Sequence, residues 1–296
     1  MLNKFLIGHE TDLENGTGVT VILAMDGAIG GVSVRGAAPG TRETDLLRPM
    51  NTVQHVHGVV LAGGSAFGLD ASAGVMTYLH EQGVGFKVEP HIIPIVSSAV
   101  IFDLSYKNFA YPDAQMGYAA AKNATCNNNL QGNIGAGCGA TIGKILGPDH
   151  ASKGGLGFAT RHLKNGIIIT AIIVVNAIGD IYNKAGEFIA GVKHPNGQST
   201  VDLLLDGVDA HNVLGQNTTI GCILTNAKLT KEAANKLADI AHDGLALAIK
   251  PVHTTFDGDT IFALSSNEVE VDFLTLQTAC VQVVQQAIIN TVFECL

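Results

Sequence analysis

A layered fold mixing α and β, with sheets covered by helices, is what this sequence predicts. Three observations lead there. The run 167–175 is apolar apart from Thr170, which is too short for a membrane span of about 20 residues and reads as a buried strand. The segments 231–247 and 271–293 carry helical patterns, the second largely apolar with Asp272 its only charge. Strand and helix signals interleave along the whole chain, and nothing in the composition separates two domains, so residues 1–296 read as one domain.

In order, residues 19–25 and 31–35 are apolar or β-branched around Asp26-Gly27, which predicts a hairpin. Val59-Val60-Leu61 is a strand running into Gly63-Gly64-Ser65, where Ser65 is expected to cap a helix striped by Leu69, Ser72, Met76 and Leu79 and stopped at Gly83. Residues 122–133, with Asn127, Asn128 and Asn129 in a row, are a polar loop. The strands 167–175 and 180–182 flank Asn176 and Gly179 and are expected to pair. After the polar stretch 206–216 come a strand at 218–224, a helix with Ala234, Leu237, Ala241 and Leu245 on one face, and a short strand at 261–264.

Composition narrows the function. With 47% hydrophobic and 15% charged residues in 296, and a mean hydropathy of +0.29, the chain is not disordered. Its net charge of −9, without basic tracts, offers no footprint for nucleic acid or an anionic membrane. The start, MLNKFLIGHE, holds no signal-peptide core, and Cys126, Cys138, Cys222, Cys280 and Cys295 are scattered and odd in number. That predicts reduced thiols in the cytoplasm.

Several motifs could carry chemistry. Residues 132–144 hold the densest glycine tract, with a loose G-x-G-x-x-A at Gly135, Gly137 and Ala140. A dinucleotide fingerprint needs a strand directly before it, and the residues before this tract are polar. Tight backbone packing is the plainer reading; a nucleotide- or metabolite-binding loop is the alternative, with Lys144 its only charge. Gly63-Gly64-Ser65-Ala66-Phe67 resembles a nucleophile elbow, but Phe67 takes the last glycine position. His55 and His57 lack an evident third metal ligand, and Cys138 lacks a local base. Asp257-Gly258-Asp259 reads as a turn, or as two carboxylates held at a strand mouth. Thr218 opens a strand, where a threonine becomes an N-terminal nucleophile if the bond before it breaks.

Taken together, GVTVIL at 18–23, VRGAAPGTRETDLL at 34–47, LAGGSAFGLD at 61–70, VIFDL at 100–104, NIGAGCGATIGK at 133–144 and PVHTTFDGDTIFAL at 251–264 resemble the DmpA and NylC family of self-cleaving N-terminal-nucleophile hydrolases. The family includes D- and β-aminopeptidases and the nylon-oligomer endohydrolase. The likeness spans about Ile7 to Phe293. It implies an α+β, four-layer αββα sandwich with two central sheets, and autocleavage at Asn217–Thr218 into fragments 1–217 and 218–296. It further implies Thr218 as nucleophile for linear amides or peptides, Lys144 and Asn176 supplying charge and hydrogen bonds around it, and Asp257 and Asp259 supporting the nucleophile and its amine. No cofactor or metal is implied. The threonine and the paired aspartates look most like the nylon-oligomer branch, since the aminopeptidase branch usually carries serine and Ser-Gly-Glu there. A family tyrosine near the oxyanion site has only Phe102 and Tyr106 in its region. The resemblance, with a final helix apolar on most of its circumference, predicts a homotetramer of cleaved heterodimers. An uncleaved, non-catalytic relative is the remaining alternative.

Overall fold

A computed structural model describes residues 2–126, 128–210 and 215–293. Cys295 and residues 211–214 of the polar stretch lie outside the described residues. The strands that build the core are β1 (Leu6–Asp12), β2 (Thr17–Val34), β3 (His55–Ala62), β4 (Val96–Val100), β5 (Gly155–His162), β6 (Ile168–Asn176), β7 (Thr218–Ala227) and β8 (Thr260–Val269). The covering helices are α1 (Ala71–Glu81), α2 (Ala114–Lys122), α3 (Lys231–Ala248) and α4 (Phe273–Phe293).

One hydrogen-bonded path runs β5-β6-β7-β8-β2-β3-β4, with β1 on the free side of β2. β2 carries this path from one layer to the other. Its first half pairs with β3 through Val19 to Leu23, its second with β8 through Ile29 to Val34, and the register with β3 shifts between Leu23 and Ala28. The expected hairpin at Asp26-Gly27 is therefore absent. The dipeptide sits in an irregularity of one long strand, where a bulge tolerates the same residues as a tight turn.

Alternation along the strands fills three apolar layers. Val19, Val21 and Leu23 of β2 face Val75 and Leu79 of α1 and Ala120 of α2. Ile22, Val59 and Leu61 from the first sheet meet Ile172, Val174, Ile220, Cys222 and Phe262 from the second. Ile173, Ile223 and Ile261 point the other way, onto Leu237 and Ala241 of α3 and Val284 and Ile288 of α4. The order of layers is αββα, as the family resemblance implies. Burial on both faces is why the strands read as continuous apolar runs.

Three local expectations are corrected. Asp180–Tyr182 pairs not with β6 but with Phe188–Ala190 and Ile249–Lys250 in a separate small sheet. Ser65 makes no capping hydrogen bond; it opens a 3₁₀ turn at φ 52, and Gly64 is the cap. The outward face of α4 is mostly polar, although Leu274 is exposed in its first turn. Thr275, Thr278 and Gln282 are exposed there, while Leu276, Val283, Val284 and Ile288 are buried. Among the described residues no helix is long and apolar enough to cross a membrane.

Phe262 is fully buried between the two sheets. Phe262→Ala should destabilise the fold by about 3–5 kcal/mol, read as a lowered thermal midpoint.

Candidate active site

Thr218 is the first residue of β7, an inner strand held by β6 on one side and β8 on the other. It is buried, and its register partner on β6 is Asn176. The Thr218 hydroxyl donates to the carbonyl of Asn217, the residue before it. That same carbonyl accepts the Gly258 backbone N–H at 3.0 Å. Gly258 approaches so closely that a Cβ there would lie 2.9 Å from Thr218 Oγ1 and 2.6 Å from the Ala38 carbonyl, which is why the middle of the Asp-Gly-Asp motif is glycine.

The glycine tract delivers Lys144. Gly143 has φ 65, and a Cβ on it would strike the backbone of Gly191 and Val192 at 2.2 and 2.0 Å, so the chain turns there only as glycine. The tract forms a 3₁₀ turn at Gly135–Gly137 packed on neighbouring backbone, and no α-helix opens from it. Lys144 is buried and spends its ammonium on three oxygens: Asn176 O at 2.9 Å, Asn176 Oδ1 at 2.9 Å and Gln216 O at 2.7 Å. Burial draws its pKa down to about 7, against the pull of Asp257 and Asp103. Three acceptors suit three N–H donors, whereas a neutral amine would turn a lone pair on one of them. The Asn176 carboxamide is fixed in turn. Its Oδ1 also accepts Thr141 N–H at 3.0 Å, and its Nδ2 donates to Phe102 O and Gln216 O, each at 3.1 Å.

The two aspartates stand on the opposite side of the chain from these donors. Asp257 Oδ2 accepts from Thr254 N at 2.9 Å and Thr254 Oγ1 at 2.6 Å. Burial and the neighbouring Asp259 push the Asp257 pKa up. Asp259 Oδ1 accepts Thr219 N–H at 2.6 Å, and its Oδ2 accepts from His253. Thr218, Lys144, Asn176, Asp257 and Asp259 thus gather around the Asn217–Thr218 bond, though both carboxylates hold its neighbours rather than the Thr218 hydroxyl.

Beside Lys144 opens a cavity of about 400 Å³, lined by Phe102, Asp103, Tyr106, Thr141, Lys153 and Gln216 among others. Both candidates for the family tyrosine's place border it. Asp103 is buried, accepting Gly64 N–H at 2.6 Å and Thr17 Oγ1 at 2.8 Å, and burial raises its pKa to about 6. Sequence reasoning passes over Asp103, Thr254, His253 and Gln216. Gln216 contributes a backbone oxygen, which no side-chain motif signals; His253 and Thr254 lie within the stretch that carries the resemblance. Among the described residues the candidates Cys138, His55 and His57 make no hydrogen bond to this cluster, and the Cys138 thiol meets the Asp12 carbonyl instead. Burial pushes the Cys138 thiol up, away from the thiolate a nucleophile needs. His57 Nδ1 accepts the Ile95 N–H at 3.2 Å and His55 is exposed, so neither is arranged as a ligand pair. Among the described residues no group of three or more His, Cys, Asp or Glu is placed to hold a metal.

The fold is that of the N-terminal-nucleophile hydrolases. The L-aminopeptidase D-Ala-esterase/amidase of Ochrobactrum anthropi, a variant of the Ntn hydrolase fold, aligns with a TM-score of 0.75 at 19% identity, over 99% of this chain and 85% of that one. More narrowly, peptidase family S58 matches residues 3–295, and the chain belongs to that family. An uncharacterized aminopeptidase of Mycobacterium leprae is 41% identical over 271 residues, 86% of this chain and 72% of the relative. The 6-aminohexanoate-oligomer endohydrolase of Agromyces is 34% identical over 266 residues, 87% of this chain and 72% of the relative. The protein is a hydrolase of amide or peptide bonds.

Lysine Cε NMR should show one lysine titrating near pH 7, far below the ordinary value of 10.5. Lys144→Met should remove that resonance and no other.

Proposed function

We propose that this chain is a self-processing amidohydrolase that cuts itself at Asn217–Thr218 and then uses Thr218 as an N-terminal nucleophile on linear amides or peptides. The observation that supports this most is the scissile carbonyl itself. The Asn217 carbonyl takes the Thr218 hydroxyl on one side and the Gly258 N–H on the other. Attack of Oγ1 on the Asn217 carbonyl carbon would raise a tetrahedral oxyanion on an oxygen already facing a fixed backbone donor. Collapse expels the Thr218 nitrogen and leaves an ester, which water hydrolyses to the Asn217 carboxylate and a free Thr218 amine and hydroxyl.

The freed amine has a reference pKa of roughly 7.7–8.0 and sits on the same residue as the hydroxyl, so it serves as the base. The β-branched side chain limits the directions from which Oγ1 can attack. Lys144 and Asn176 both donate to the carbonyl of Gln216 in the uncut chain. Departure of that segment frees two donors beside the nucleophile for the carbonyl oxygen of a substrate. The acyl-enzyme on Thr218 is then released by water. The relatives' names cover exopeptidase and endohydrolase action, so aminoacyl p-nitroanilides, β-peptides and aminohexanoate oligomers are the substrates to compare. Four described cysteines are free thiols, in keeping with the cytoplasm.

A denaturing gel of wild type should show fragments 1–217 and 218–296, the smaller beginning Thr-Thr-Ile on N-terminal sequencing. Thr218→Ala should give one uncut, inactive band; cleavage that persists in this variant would overturn the assignment. Lys144→Met should lower turnover by about 10²–10³, the usual loss for one oxyanion donor.

We also propose the tetramer of cleaved heterodimers. The family resemblance supports it, and so does an exposed aromatic cluster of Phe67, Phe109 and Tyr111, with Phe67 stacked on Tyr111 at 4.8 Å. Light scattering should give four times the 30.8 kDa unit; a monodisperse species of one unit would refute the assembly and leave the chemistry standing.

A further inference from the structure

We propose that His253 is a positioning residue for the nucleophile, acting through Asp259; the inference rests on the function proposed above. His253 lies in the left-handed region at φ 56, an uncommon conformation for a histidine. That conformation turns two donors of one residue onto one oxygen. The His253 backbone N–H reaches Asp259 Oδ2 at 3.1 Å, and ring Nδ1 reaches it at 2.7 Å. The other oxygen of the same carboxylate holds the Thr219 N–H at 2.6 Å. Asp259 thereby ties His253 to the peptide that directly follows Thr218. Its carboxylate is almost wholly buried, so these donors fix its rotamer.

The imidazole earns its place through Nδ1 alone. Nε2 of His253 is buried and has no hydrogen-bond partner among the described residues. The ring packs edge-on against His242, with centroids 4.7 Å apart. His242 hydrogen-bonds the Ser33 carbonyl through Nε2, and burial lowers its pKa to about 4, so it stands neutral behind the pair. An aromatic ring without nitrogen would pack equally well and would leave no orphaned atom. What needs a histidine here is the Nδ1–H donor to Asp259, and beyond it the placement of the Thr218–Thr219 backbone.

The test compares His253→Ala, His253→Asn and His253→Gln in the full-length chain. Asparagine tolerates left-handed backbone and carries an N–H donor where Nδ1 stands; glutamine carries its amide one bond further out. Three quantities are read: the rate at which fragment 218–296 appears, kcat against KM on the best substrate, and hydrogen exchange at the Thr219 amide. His253→Ala should lower the processing rate and kcat by about 10²-fold, the loss expected of a nucleophile displaced by about 1 Å, with KM unchanged within about two-fold. Thr219 exchange should quicken alongside. His253→Asn should restore most of all three, and His253→Gln should not. Equal rates in the Ala and Asn variants, or an effect on KM alone, would overturn the proposal. If His253→Ala fails to fold, the Asn and Gln variants decide, and equal rates between them overturn it. A processed, active wild type beside indifferent variants defeats this inference only. A wild type that is neither cut nor hydrolytic defeats the underlying function, and this inference with it.

Discussion

A buried lysine ammonium with three oxygens for its three protons organises the centre of this protein. Lys144 joins the end of the glycine tract to the end of β6 and to the segment that leads into β7. Taking a charge out of water costs several kcal/mol unless geometry and hydrogen bonds compensate. Here they come from the Asn176 backbone, the Asn176 side chain and the Gln216 backbone. Losing any one would leave a buried donor or acceptor unmatched, so the surrounding backbone has little freedom to drift. The consequence is a carboxamide whose two ends are assigned: Oδ1 toward Lys144 and Thr141, Nδ2 toward Phe102 and Gln216.

Charge is balanced around this centre rather than at each residue. Asp103 and Asp257 both favour the protonated Lys144, while burial disfavours it. Asp257 is in turn eased by Lys144 and strained by Asp259. Removing the Lys144 charge would therefore take away an interaction that favours the ionised Asp257. Asp259 carries its share by hydrogen bonding, to the Thr219 amide and to His253.

The parts of the fold legible in the sequence are those where local pattern and global burial agree. The run 167–175 is apolar because β6 is covered on both faces, and α3 shows its stripe because one side meets β8 and β2. Legibility fails where one dipeptide serves two geometries, as Asp26-Gly27 does inside β2. It fails again for Asp180–Tyr182, whose partners lie at Phe188–Ala190 and Ile249–Lys250 and leave no trace beside it. The α4 surface is hard to read because threonine and glutamine, uncharged in the sequence, make most of its outward face once the helix is set. In the candidate site, Thr218, Lys144, Asp257 and Asp259 each carry a local signal beside a plainer reading, and only the joint pattern of several motifs singles them out together with Asn176. The backbone oxygen of Gln216 and the ring of His253 are not legible, because their contribution exists only after β6, β7 and β8 are side by side.

The strand order has a consequence for the life of the molecule after a cut at Asn217–Thr218. β7 and β8 would belong to the smaller fragment, yet they pair with each other and are flanked by β6 and β2 of the larger one. The cut would leave the ladder intact while removing the covalent link that brought those strands together. Before it, unfolding and refolding are events within one molecule, independent of concentration. After it, a molecule that opens must find its other half by diffusion, competing with every exposed strand edge in solution. Maturation would then work as a ratchet: the intact chain supplies the instructions for assembly once, and the working enzyme persists by the height of its unfolding barrier rather than by its ability to fold again.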